Sequence, residues 1–269
     1  MPQLTGSDAS IYYELQGSGP PLLLIAGLAS DSQSWDTLPS ALAEHFTVIS
    51  MDNRGMGRSI SNGEISISRM ADDCITLTKK LELKQINLLG HSMGGMIAMD
   101  YALRYPDMVS KLLLVATTPC NSPRNNLLFN DWASALERGT DIETWFRSIL
   151  YWIVSEQFFV NRIQLENMIK ALINYPYPAS SPTFRQQVKT IADFDVTGSL
   201  NRLTMPTCVI AGELDLLMPV ATSKDLSRHI PGALLKVIEG AAHSIQSERS
   251  DQLFTIVMQF LGAQTKTGQ

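Results

Sequence analysis

Six short apolar runs recur along the chain and end in a Gly or a polar turn: Leu22–Ile25, Phe46–Ile49, Ile86–Leu89, Leu112–Val115, Thr207–Ile210 and Leu234–Ile238. Mostly continuous rather than alternating apolar character marks strands buried on both faces, as in a parallel sheet covered by helices. Helical spacing fills the intervals. Ala71, Cys74, Ile75, Thr78 and Leu81 form one stripe, and Leu253, Phe254, Ile256, Val257, Phe260 and Leu261 form another. The second helix is expected to start at Ser247, with Glu248 and Asp251 near its positive end. Alternating strand and helix predicts right-handed crossovers and a doubly wound, mostly parallel α/β sheet.

Two regions break the alternation. Ile11, Tyr13 and Leu15 alternate with polar or half-polar neighbours, and Gly17-Ser18-Gly19-Pro20-Pro21 follows. This predicts an antiparallel strand at the sheet edge, joined by a turn to the first buried strand. Residues 121–199 contain no buried-strand pattern, yet they hold 12 of the 20 aromatic residues. A helical cap needs such apolar surface to seat on a sheet. The expected organisation is therefore a core of residues 1–120 and 200–269 with a cap at 121–199.

A chain of 269 residues suits one large core, or one core with a subdomain. Its net charge of −5 offers no basic footprint for nucleic acid or anionic lipid. The longest apolar stretch, Pro20 to Ala29, is too short to span a bilayer. The start, Met1 to Gly6, shows no basic region leading into an apolar segment. Cys74, Cys120 and Cys208 are an odd, scattered set that suits packed free thiols in a reducing compartment. A cytoplasmic protein with neither nucleic-acid nor membrane partners is expected.

The strand ending at Leu89 runs into Gly90-His91-Ser92-Met93-Gly94-Gly95 and then a helix-forming stretch stopped by Pro106. G-x-S-x-G between a strand and a helix holds the serine on a strained turn, its hydroxyl above the sheet. A serine hydroxyl needs a base, and the base needs an orienting carboxylate. Of four histidines, His45 precedes a strand and so lies at the wrong end of a parallel sheet. His229 suits a helix C-terminus, and His91, inside the elbow, is expected to point away from Ser92. His243 follows the last strand, at the carboxyl end where open α/β sheets place their sites. The turn after Thr207–Ile210 supplies two acids, Glu213 and Asp215, in the chain order Ser, acid, His. Oxyanion donors are expected from the N–H of Met93 and, in Ala26-Gly27-Leu28-Ala29-Ser30, from that of Leu28.

These motifs resemble the α/β-hydrolase superfamily, and most closely its branch of 3-oxoadipate enol-lactonases and small carboxylesterases. Asp52-Asn53-Arg54-Gly55-Met56-Gly57-Arg58-Ser59 is similar to that family's loop after its next strand, and the likeness runs from about residue 10 to 262, weakest across the insert. The resemblance implies that Asp215, the second acid of Gly212-Glu213-Leu214-Asp215, orients His243. In one departure, Ala26-Gly27 replaces the family's His-Gly, so a side chain that braces the oxyanion loop is missing.

The expected activity is hydrolysis of a small carboxylic ester or lactone by Ser92, Asp215 and His243. The same triad supports C–C bond hydrolysis of ring-cleavage products or perhydrolysis, and a ligand-binding sensor on this scaffold is the reading of another class. No cofactor or metal is expected, because paired cysteines, closely spaced histidines and a P-loop are all missing from the sequence. Asp52 and Arg54 are expected to form a structural loop pair, and the insert's aromatics to pack mainly within the cap.

Overall fold

The computed structural model describes residues 3–6 and 8–262. Met1 and Pro2 of the expected leaderless start, and residues 263–269 of the expected core segment, lie outside the described residues. Nine strands form one sheet: β1 (Gln3–Thr5), β2 (Ala9–Gln16), β3 (Pro21–Ile25), β4 (Thr47–Met51), β5 (Ile60–Ser61), β6 (Ile86–His91), β7 (Val109–Val115), β8 (Thr207–Gly212) and β9 (Leu234–Ile238). The order is β1-β2-β4-β3-β6-β7-β8-β9, with β5 pairing β2. From β4 across to β9 every neighbouring pair is parallel, while β2 runs antiparallel to β4, β1 and β5.

The continuous apolar runs are explained by two cores that share each strand. Leu23 and Ile25 of β3 face one side of the sheet, with α2 (Ile67–Lys80) and α3 (Met93–Arg104). Leu22 and Leu24 face the other, with Trp35 and the C-terminal helix residues Leu253 and Val257. Alternate side chains are therefore buried on opposite faces, so the runs read as continuously apolar rather than alternating.

Three expectations need correction. Strand β2 is not the edge, because the three-residue β1 lies outside it; with only Leu4 buried, β1 carries too little pattern to read. The turn after β2 leads to β3 as expected, with β4 lying between the two in the sheet. Strand β9 is the opposite edge, with Leu234 and Val237 exposed, because it has a neighbour on one side only. The last helical region starts as a short turn at Ile245–Glu248 and breaks at Arg249 before the main helix Ser250–Leu261. Glu248 does not serve that helix's start, since its carboxylate accepts from Ala242 N and from Ser155 N and Oγ.

Between β7 and β8 the chain leaves the sheet for five helices: α4 (Pro123–Glu137), α5 (Ile142–Ile153), α6 (Glu156–Val160), α7 (Arg162–Ile173) and α8 (Ser181–Asp193). Ser122, Asp141, Asn161 and Ser180 cap four of them, each accepting a backbone N–H of the first turn. Leu150, Val154, Phe158, Leu165 and Ile169 form a small core within this insert. Phe129, Trp132, Trp145 and Phe184 join the main core instead. Among the described residues, no helix is long and apolar enough to cross a membrane.

Candidate active site

Strand β6 ends at His91, and Ser92 sits between it and α3 at φ 54°, ψ −120°. A non-glycine residue rarely adopts a positive φ, and the surroundings enforce it here. Ser92 N donates to Val115 O at 2.9 Å, and Thr117 Oγ1 donates to Ser92 O at 2.7 Å. The flanking glycines are needed for room: a Cβ on Gly90 would lie 2.2 Å from Gly94 O, and one on Gly94 2.0 Å from Ile25 O.

His243 follows β9, and its Nε2 accepts from Ser92 Oγ at 3.0 Å. Its Nδ1 donates to Asp215 Oδ2 at 2.8 Å. The other carboxylate oxygen, Oδ1, accepts from the N–H groups of Leu217 and Met218, both at 2.8 Å. Burial pushes the Asp215 carboxyl up, but the His243 charge and hydrogen bond, with the two amides, hold it below the usual range. Asp215 is therefore ionised. Glu213 is turned elsewhere, accepting from Gly240 N at 3.0 Å.

His91, expected to point away from Ser92, makes no hydrogen bond to it among the described residues and is tied instead to His243. As the last residue of β6 it projects toward the His243 loop, with ring centroids 5.0 Å apart. Burial, and then the neighbouring His243, push its imidazole down to about 3. The ring is thus neutral, and its Nε2–H donates to the His243 carbonyl oxygen at 2.9 Å. Sequence reasoning missed this tie, because the two histidines meet only across the sheet top. His45 lies just ahead of β4, and His229 ends the helix Val220–His229 with its Nδ1 on Asp225 O.

The expected oxyanion donors, the N–H groups of Met93 and Leu28, have no acceptor among the described residues. Residues 26–32 are held from outside. Asn53 Nδ2 donates to Ala26 O at 2.9 Å, and Asp52 Oδ1 accepts from Ser32 N and Oγ. Gln187 Oε1 accepts from Ala29 N at 3.0 Å. Asp52 and Arg54 are not a pair with each other: Asp52 takes Arg58, whereas Arg54 grips Asp73 with two hydrogen bonds. Of the cysteines expected to be packed, Cys74 and Cys208 are buried, while Cys120 is exposed on the loop after β7.

Ser92 and His243 open into a cavity of about 110 Å³ with mostly apolar walls. Gly27–Ser30 and Gln246 line one part, and Phe129, Trp132, Ile149, Ile153 and Phe184 of the insert close it. The aromatic richness of residues 121–199 hinted at such a role, but only the fold selects which rings face the serine. Trp145, for example, is buried behind the wall, donating its indole N–H to Trp132 O.

A profile described as alpha/beta hydrolase fold matches residues 20–250. A protein of Agrobacterium fabrum whose name assigns it as a carbamate hydrolase, RutD, is 27% identical, covering 93% of this chain and 98% of its own. The pimeloyl-[acyl-carrier protein] methyl ester esterase of Aliivibrio fischeri is 27% identical, over 94% of this chain and 97% of its own. Among solved structures, a malate-bound thermophilic esterase from Thermogutta terrifontis superposes with a TM-score of 0.87 at 26% identity, covering 97% of this chain and 98% of its own. On this match, and with the sheet order described above, the chain belongs to the α/β-hydrolase fold family.

Proposed function

We propose that this hydrolase is a serine esterase or lactonase that cleaves a small carboxylic ester through an acyl-enzyme, without a cofactor. The observation that carries the reading is the unbroken relay from Ser92 Oγ through His243 to Asp215, at 3.0 and 2.8 Å, opening into an apolar cavity. Ser92 Oγ attacks the carbonyl carbon as its proton passes to His243 Nε2. The charge left on the carbonyl oxygen is taken by the N–H groups of Met93 and Leu28. Asp215 stabilises the imidazolium, which then protonates the departing alkoxide. Water, deprotonated by the same imidazole, releases the acid. In this reading residues 121–199 act as a cap over the core of 1–120 and 200–269, and shape the acyl and alcohol pockets. Free thiols, one of them the exposed Cys120, support a cytoplasmic location.

The carbamate hydrolase name of the Agrobacterium relative supports one variation, in which the same attack falls on a carbamate carbonyl. A panel of p-nitrophenyl esters, lactones and aryl carbamates separates the two. Fluorophosphonate labelling with peptide mapping tests the core of the proposal: the adduct is expected on Ser92, and a protein left unlabelled would overturn it.

A further inference from the structure

We infer that Gln187, on the insert helix α8, is the positioning residue for the oxyanion loop, replacing the brace that Ala26 cannot supply. The inference rests on the acyl-transfer reading of Ser92. The two ends of the loop are fixed by the core, Ala26 O by Asn53 and Ser32 by Asp52. Its middle has only a long turn bond from Ser30 N to Gly27 O at 3.3 Å and the Ser30 hydroxyl on Leu28 O at 3.2 Å. At that point Ala29 adopts φ 54°, a left-handed conformation that a residue with a Cβ keeps only under constraint. The Gln187 carbonyl oxygen supplies the constraint by accepting the Ala29 N–H. That bond fixes the peptide plane between Leu28 and Ala29, and so fixes the backbone around the Leu28 N–H.

Two further observations favour this role over simple packing. Gln187 is fully buried, yet among the described residues its Nε2 has no hydrogen-bond partner. Leucine would fill a similar volume without an unmet donor, so the amide is retained for what its oxygen does. The helix also presents it in register. Phe184, one turn earlier, lines the cavity, and Thr190, one turn later, accepts Ile67 N at 2.9 Å. One face of α8 thus contacts the cavity, the oxyanion loop and the start of α2 in succession. Its seating on the core and the aim of the Leu28 N–H become one arrangement.

The test is Gln187→Leu with a p-nitrophenyl ester. Deleting an oxyanion donor outright costs about 10²–10³ in kcat, so a loosened one is expected to cost about 10- to 100-fold, with KM within about twofold. Affinity for a boronate transition-state mimic should fall by the same factor as kcat. Unchanged kcat per folded molecule, or a loss confined to KM or to Tm, would overturn the inference. Amide exchange on the wild-type protein provides a readout that needs no variant. Ala29 is expected to exchange at least about tenfold more slowly than the unbonded Leu28 amide, and equal rates would overturn the brace. A wild-type protein inert to both ester and fluorophosphonate would instead defeat the hydrolase reading, and the Ala29 exchange rate would still decide whether the brace exists.

Discussion

The two loops that line the cavity beside Ser92 are held in opposite ways. The turn at Ser92 is built almost entirely from its own backbone and its strand neighbours, through Val115 O, Thr117 and the space left by Gly90 and Gly94. The loop of residues 26–32 is held by side chains, Asn53 and Asp52 just after β4 and Gln187 of the distant insert. One needs only the sheet and the small residues of a six-residue motif, and the other needs the insert as well. The Ser92 turn should therefore survive changes in the insert, whereas the Leu28 N–H, the proposed oxyanion donor, should respond to them.

The sharpest test of that contrast is Ser92→Ala. Turnover should fall by a factor on the order of 10⁴ to 10⁶ with Tm nearly unchanged, as read by ester kinetics and calorimetry. A variant retaining a tenth of the activity would remove the serine from the mechanism.

Asp215→Asn comes next. It disturbs the proton arrangement on His243 while keeping the shape, and kcat should fall by roughly 10³–10⁴ with little change in KM. A loss under tenfold would mean that another acid orients the imidazole.

The His243 loop is tied to the core through His91, and here acid is the probe. In the unfolded chain an imidazole takes up its proton below pH about 6.5. In the folded protein His91 holds out to about 3. The unfolded state therefore binds the extra proton, and stability falls as pH drops from about 6.5 towards 3, by at most ~1.4 kcal/mol per pH unit. Asp215, depressed in the folded state, adds its own loss only below the usual carboxylate range. Urea denaturation between pH 4 and 7 should show a flatter slope in His91→Gln. An unchanged slope would place the titrating group elsewhere.

The smallest effect is expected at Asn53→Ala, which frees Ala26 O at one end of the oxyanion loop. Loss of about 1 kcal/mol of positioning corresponds to roughly a fivefold drop in kcat. A drop as large as that of Gln187→Leu would mean the core, and not the insert, sets the loop.

The same contrast explains what the sequence made legible. Ser92 and His243 sit just beyond strand ends, where chain order and flanking glycines mark them, whereas the choice of Asp215 over Glu213 came from the family resemblance. Neither the use of Gln187 nor the tie from His91 to the His243 carbonyl has one. Both depend on which faces of α8 and β6 meet a loop across the molecule. The missing His of the oxyanion loop did register, but it showed only a vacancy and not the side chain that fills it. Strand β1 was missed for a simpler reason, since three residues with one buried leucine cannot show a period. Glu248 read as a helix-start acid because helical spacing hides a break at Arg249, which only the backbone reveals.

The insert also separates β7 from β8, so that Leu112 must find Thr207 across the whole excursion. Such distant pairing closes slowly compared with the local β3–β7 unit. A chain emerging from the ribosome thus presents Ser92 and the loop of residues 26–32 before Asp215 and His243 are made. A product truncated before β8 would therefore carry Ser92 without the acid and base proposed to activate it.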